Sequence, residues 1–185
     1  MPTTIESVKR IGLVPAGTFA VRVLGFGGLR VESVHRGGTI ALSGSQPIAL
    51  LFLLLAQPQG RFVDRNAILR LLWPTAPPAR ARHRLRQVIH ELRRSLGRGA
   101  VVSKGRDYLA IDHDVVQSDL TRFRECVENR EWAAAKALYR GDLLPGFVLP
   151  GRGELNAWLD SLRAELARLA EQAGWRTAVT LAEAS

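Results

Sequence analysis

Nine consecutive apolar residues, Ile48 to Ala56, stand between Ser43-Gly44-Ser45-Gln46-Pro47 and Gln57-Pro58-Gln59-Gly60. The run falls well short of the roughly 20 residues that a bilayer core requires, so it predicts no membrane span. It reads as a helix, with Ser45 as its N-cap, proline near the first turn, and Pro58 and Gly60 behind its end. Ile48, Leu51, Phe52 and Leu55 share one face, while Leu50, Leu53 and Leu54 fill the others. A helix that is apolar all round has to be enclosed by the rest of the fold.

The enclosing elements follow from periodicity. Residues 1–18 carry Pro2, Pro15 and Gly17 and read as a flexible tail. Phe19, Val21 and Val23 alternate with Ala20 and Arg22 as a strand, and Gly25, Gly27 and Gly28 turn the chain into a second one, Leu29 to Glu32. His35-Arg36-Gly37-Gly38 makes another turn, and Thr39 to Leu42 is expected as a third strand, completing a small antiparallel sheet. After the apolar helix, Asp64 caps a second helix carrying Ile68, Leu69, Leu72 and Trp73, which Pro74 ends. A third helix runs from Pro77-Pro78 to about Leu96, with Leu85, Val88, Ile89, Leu92 and Leu96 as its buried stripe. Gly97 to Gly99 stop it, and Val101 to Ser103 with Tyr108 to Ile111 form a hairpin whose tip is Lys104-Gly105-Arg106. Sheet, three helices and hairpin, in that order, read as an α+β winged helix-turn-helix over residues 19–112.

Charge is concentrated on one of these elements. The chain of 185 residues has 26 Lys and Arg against 17 Asp and Glu, a formal charge of +9. Between Ala79 and Arg106 lie Arg80, Arg82, Arg84, Arg86, Arg93, Arg94, Arg98, Lys104 and Arg106 against Glu91 alone, so this stretch holds +8 of the total. At 100° per residue, Arg80, His83, Gln87, His90 and Arg94 oppose the leucine stripe, flanked by Arg84, Arg86 and Arg93. Like charges gathered on one helix repel one another, and an external anion relieves that cost; nucleic acid is the first candidate.

From Ser118 the composition changes to nearly neutral helical patterns. Leu120, Phe123 and Val127 mark one short helix, and Glu131 to Tyr139 another with Trp132 and several alanines. After a bend from Gly141 to Gly153, a long helix from Glu154 carries Leu155, Trp158, Leu159, Leu162, Leu166 and Leu169, with an interruption expected at Gly174. A domain boundary is placed at Asp112 to Gln117, giving residues 118–185 to an all-α second domain.

The segment LLFLLLAQPQGRFVDRNAILRLLWPTAPPARARHRLRQVIHELRRSLG resembles the DNA-binding domain of the SARP-type bacterial transcriptional activators, an OmpR/PhoB-type winged helix. SDLTRFRECVENREWAAAKALYRGDLLPGF is similar to the start of their bacterial transcriptional activator domain, a helical region akin to tetratricopeptide (TPR-like) repeats that would here be truncated at Ser185. One departure is Asp107, where the family usually has glycine before Tyr108. The resemblance implies a promoter-binding activator that recruits RNA polymerase and acts on direct repeats as a homodimer or tandem pair. It makes the third helix the recognition helix, Lys104 to Arg106 the wing tip, and Trp73, Pro74, Thr75, Ala76, Pro77 and Pro78 the polymerase-contact loop. The 18 residues before the first strand cannot build a receiver domain, so control by an attached receiver is not expected.

Arginine can grip guanine O6 and N7 with both arms of its fork, and glutamine can do the same for adenine. Arg80, His83, Arg84 and Gln87 are therefore expected at base edges, and Arg86, His90, Arg93, Arg94, Lys104 and Arg106 mostly at phosphates, with Arg82 also expected to bind DNA. Two alternatives stand beside this reading: a non-catalytic adaptor whose basic helix binds an acidic protein, and sequence-independent nucleic-acid binding. No catalytic residue, cofactor or metal site is expected. Gly25-Phe26-Gly27-Gly28 lacks the lysine and spacing of a P-loop, and Ser43 and Ser45 lack a nucleophile elbow. His35, His83, His90 and His113 form no i, i+4 pair. The single cysteine, Cys126, excludes an intramolecular disulfide and suits a reducing cytoplasm.

Overall fold

The structure is a computed structural model that describes residues 20–35 and 37–183. The tail 1–18, Phe19 and Arg36 lie outside the described residues. The fold is mixed α+β, with two small sheets and six helices among the described residues.

Strands β1 (Val21–Leu24) and β2 (Arg30–Ser33) pair antiparallel, with Val23 opposite Val31. Residues 39–42 do not form the expected third strand; only a bridge from Thr39 to Glu32 and an Ile40 N–H to the Val31 carbonyl remain. The third strand is instead a segment beyond the hairpin, designated β6 (Val116–Ser118), which runs parallel to β1 on its other edge. Val116 is fully buried there, whereas Ile40 and Leu42 are half-exposed, so this pairing encloses more apolar surface.

Helix α1 (Ser45–Leu55) is enclosed as its composition requires, with Ala49 to Leu55 all buried. Its N-cap is Gly44 rather than Ser45, and no side chain caps it, because the positive φ of Gly44 (+81°) makes the entry turn. Strand β3 (Val63–Asp64) leads into α2 (Arg65–Leu72), whose Asp64 carboxylate accepts from the Asn66 and Ala67 N–H groups at 2.6 and 3.2 Å. Helix α3 (Pro78–Leu96) follows, then the hairpin of β4 (Val101–Lys104) and β5 (Tyr108–Ile111). The second sheet has the order β3-β5-β4.

Helix α4 (Asp119–Glu128) packs on α5 (Trp132–Leu138), and α5 packs on α6 (Gly153–Glu183). Helix α6 runs through Gly174 without the expected interruption. One glycine costs about 1 kcal/mol against alanine, too little to break 31 residues braced by Leu155, Leu159, Leu162 and Leu166. No described helix is long and apolar enough to cross a membrane.

One connected cluster of buried side chains extends from Val21 to Ala173, crossing the segment 112–117. Both Asp119 carboxylate oxygens accept from the Gly25 N–H at 2.9 Å, and one also accepts from the Phe26 N–H at 3.0 Å. Phe26, Phe123 and Tyr139 meet in edge-on and tilted ring contacts at centroid distances of 5.1 to 5.9 Å. Arginines of the later helical part hold the ends of the earlier helices. Arg124 donates to the Ala56 carbonyl behind α1, and Arg152 donates to the Leu72 carbonyl that ends α2.

Candidate nucleic-acid interface

Helix α3 begins at Pro78, where the missing N–H costs nothing, and ends on Gly97 with Arg93 and Arg94 in its last turn, favourable to the helix dipole. Ala81, Leu85, Val88, Ile89, Leu92 and Leu96 are buried against α1 and α2. This anchoring fixes the opposite side outward. Arg80, Arg82, His83, Arg86, Gln87, His90 and Arg94 are exposed, and Arg84 is half-buried at the margin. The structure thus brings the residues expected on one face to one face.

No ion pair within 4.0 Å among the described residues involves α3 or the hairpin; those found link Arg22 to Glu32 and join residues of α4, of α6 and of the α5 N-cap. Glu91, half-buried on the same helix, therefore neutralises none of its arginines at that range.

Arg93 is the exception in placement. It is half-buried and folds toward the hairpin, donating Nε to the Val101 carbonyl at 2.9 Å and an Nη to Ser103 Oγ at 3.2 Å. Arg65, the first residue of α2, reaches the same Ser103 Oγ at 3.1 Å. Burial and the neighbouring Arg93 cation push the Arg65 guanidinium below its ordinary range, with Asp107 opposing them more weakly. Sequence reasoning missed Arg65 and Ser103. A cation at the first position of a helix works against the dipole, and that signal was available in the sequence.

The hairpin tip is exposed at Lys104, Gly105 and Arg106, with Gly105 at φ +60° making the turn. Lys104 Nζ sits 5.8 Å from the ring centre of Phe62, and Tyr108 is exposed opposite it on β5. Asp107, where the family pattern has glycine, accepts the Arg65 N–H on its backbone carbonyl, tying the tip to the start of α2. In the loop between α2 and α3, Pro74, Thr75 and Pro77 are exposed and Ala76 is half-buried, as Pro78 opens α3 in the open. Trp73, expected as part of that contact surface, is instead buried at 2% exposure, because its indole fills the core beside Leu72. No described group of His, Cys, Asp and Glu could hold a metal ion.

No protein-family model matches the chain. It is 32% identical over 130 residues, 67% of its length, to the transcriptional regulatory protein MoaR1 of Mycobacterium tuberculosis (strain ATCC 25618 / H37Rv). The same figures hold for MoaR1 of Mycobacterium bovis (strain BCG / Pasteur 1173P2). The chain is thus similar to proteins that regulate transcription, in line with its resemblance to the SARP-type activators. It spans 40% of the length of these relatives. Its fold is similar to that of Mycobacterium tuberculosis EmbR, solved in complex with a low affinity phosphopeptide, at a TM-score of 0.58 and 21% identity over 89% of this chain and 48% of EmbR.

Proposed function

We propose that the chain is a sequence-specific DNA-binding regulator of transcription that lays α3 in the major groove of promoter DNA. On this reading the first part of the chain is a winged helix-turn-helix with the β4–β5 hairpin as its wing, and the later helices are a TPR-like activator domain. Arg80, His83, Arg84 and Gln87 read base edges; Arg82, Arg86, His90, Arg93, Arg94, Lys104 and Arg106 hold the backbone. Pro74, Thr75, Ala76, Pro77 and Pro78 form the surface offered to RNA polymerase, and two copies sit on a direct repeat. The protein works in the cytoplasm and carries out no catalysis.

The observation that carries this reading is the exposed arginine face of α3, anchored by six buried residues and without a carboxylate partner within ion-pair range among the described residues. Selection of bound sequences from a random duplex pool, followed by footprinting and a salt titration, tests it. Enrichment of a repeated motif, with log affinity falling by about 0.9 per neutralised phosphate for each unit of log salt, is the expected result. Binding without a salt slope removes the reading, and binding that enriches no motif reduces it to sequence-independent attachment.

A further inference from the structure

Two cations and one hydroxyl meet at the stem of the hairpin. Ser103 Oγ accepts from Arg65 at 3.1 Å and from Arg93 at 3.2 Å, so both oxygen lone pairs are used and the hydroxyl proton is free to donate. Each guanidinium has five N–H donors in a planar fork, and Arg65 spends one on the protein, with its Nε buried and unpartnered. No carboxylate lies within ion-pair distance of either guanidinium among the described residues. Arg93 spends two donors, Nε on the Val101 carbonyl and an Nη on Ser103; with Ser103 exposed and both arginines half-buried, the unspent Nη donors stand within reach of an incoming group in surroundings that screen charge less than water does. Unspent Nη donors of two guanidinium groups beside one free O–H match the oxygens of a tetrahedral oxyanion.

We propose that Arg65, Arg93 and Ser103 form a clasp for a single backbone phosphate of the bound duplex. The clasp rests on the DNA-binding reading and adds to it a defined phosphate site that draws on α2. Its position supports that occupant: Arg93 is on α3, and Ser103 precedes Lys104 of the hairpin tip, so the clasp lies between the two surfaces that approach DNA. A phosphate there also relieves the repulsion between Arg65 and Arg93.

Fluorescence anisotropy of the full chain on its selected duplex, run over a salt series, provides the test. Arg65→Gln is expected to weaken binding about tenfold and to shorten the salt slope by about 0.9, the loss of one phosphate contact. Arg65→Lys keeps the cation and the slope but loses the fork, with a weakening of about threefold. A scan with single neutral methylphosphonate linkages is expected to find one position that weakens the wild type about tenfold and leaves Arg65→Gln unchanged. Thermal melts of each variant separate this from a bracing role: a lower Tm with an unaltered slope, or no linkage silent in Arg65→Gln, overturns the clasp while DNA binding by the wild type stands. Absence of any salt slope in the wild type overturns the DNA-binding reading itself, and the clasp with it.

Discussion

A side chain on Gly25 would have nowhere to go. Its Cβ would lie 2.6 Å from Phe52 Cε1 and 2.8 Å from Leu143 Cδ1, inside the contact distance of α1 and of the later chain alike. Gly25→Ala is therefore expected to cost about 1–3 kcal/mol by overpacking, read from the urea midpoint, with α3's exposed side unaltered. The same residue donates its N–H to Asp119, so one position joins sheet, helix and helical part. Nearby, burial lowers the His113 pKa, with Glu125, Asp112 and Asp114 opposing. A lowered folded-state value means that the unfolded chain takes up its proton first, so stability falls as pH drops through about 6.5 and below. Urea midpoints at pH 7.5 and 5.5 should differ more for the wild type than for His113→Gln. A buried Cys126, with its thiol donating to Glu131 and its pKa pushed up to about 11 by burial, takes no part in this chemistry.

Helix α3 shows why an amphipathic element is the most readable part of such a chain. Leucines and arginines with 3.6-residue spacing specify both the buried side and the open one, and the residues from Arg80 to Arg94 lie as that period requires. Arg93 escaped the pattern because its side chain is directed by contacts to Val101 and Ser103 on another element, which periodicity does not encode. Arg65 escaped for the same reason: it meets Ser103 across 38 residues through the pairing of β3 with β5, and β3 is two residues long. The helix also separates two kinds of contact. Gln87→Ala and Arg84→Ala are expected to change the ranking of selected sequences by roughly 1–3 kcal/mol at one base position each. Lys104→Ala at the hairpin tip should weaken all sequences alike, as measured by competition binding.

At the scale of the molecule, composition and charge divide the chain near Ser118, and that change is legible in the sequence. The physical joins across it are not, because they combine a three-residue parallel strand, one carboxylate, a few arginine side chains and apolar contacts such as Phe26 on Phe123, all between residues far apart in the chain. Arg163 shows how much such a side chain carries: it donates to the carbonyls of Leu143, Leu144 and Phe147, holding the bend against α6. Arg163→Ala should lower stability by about 2–4 kcal/mol through the acceptors it strands, and far-UV circular dichroism should follow tryptophan fluorescence in one shared transition. Arg152 has a different consequence. Leu72 is the last residue of α2, and six residues later the chain enters α3, so the grip of Arg152 on the Leu72 carbonyl fastens the start of the loop that leads into the basic helix. The loop ahead of the basic helix and the start of the longest helix thus share one anchor.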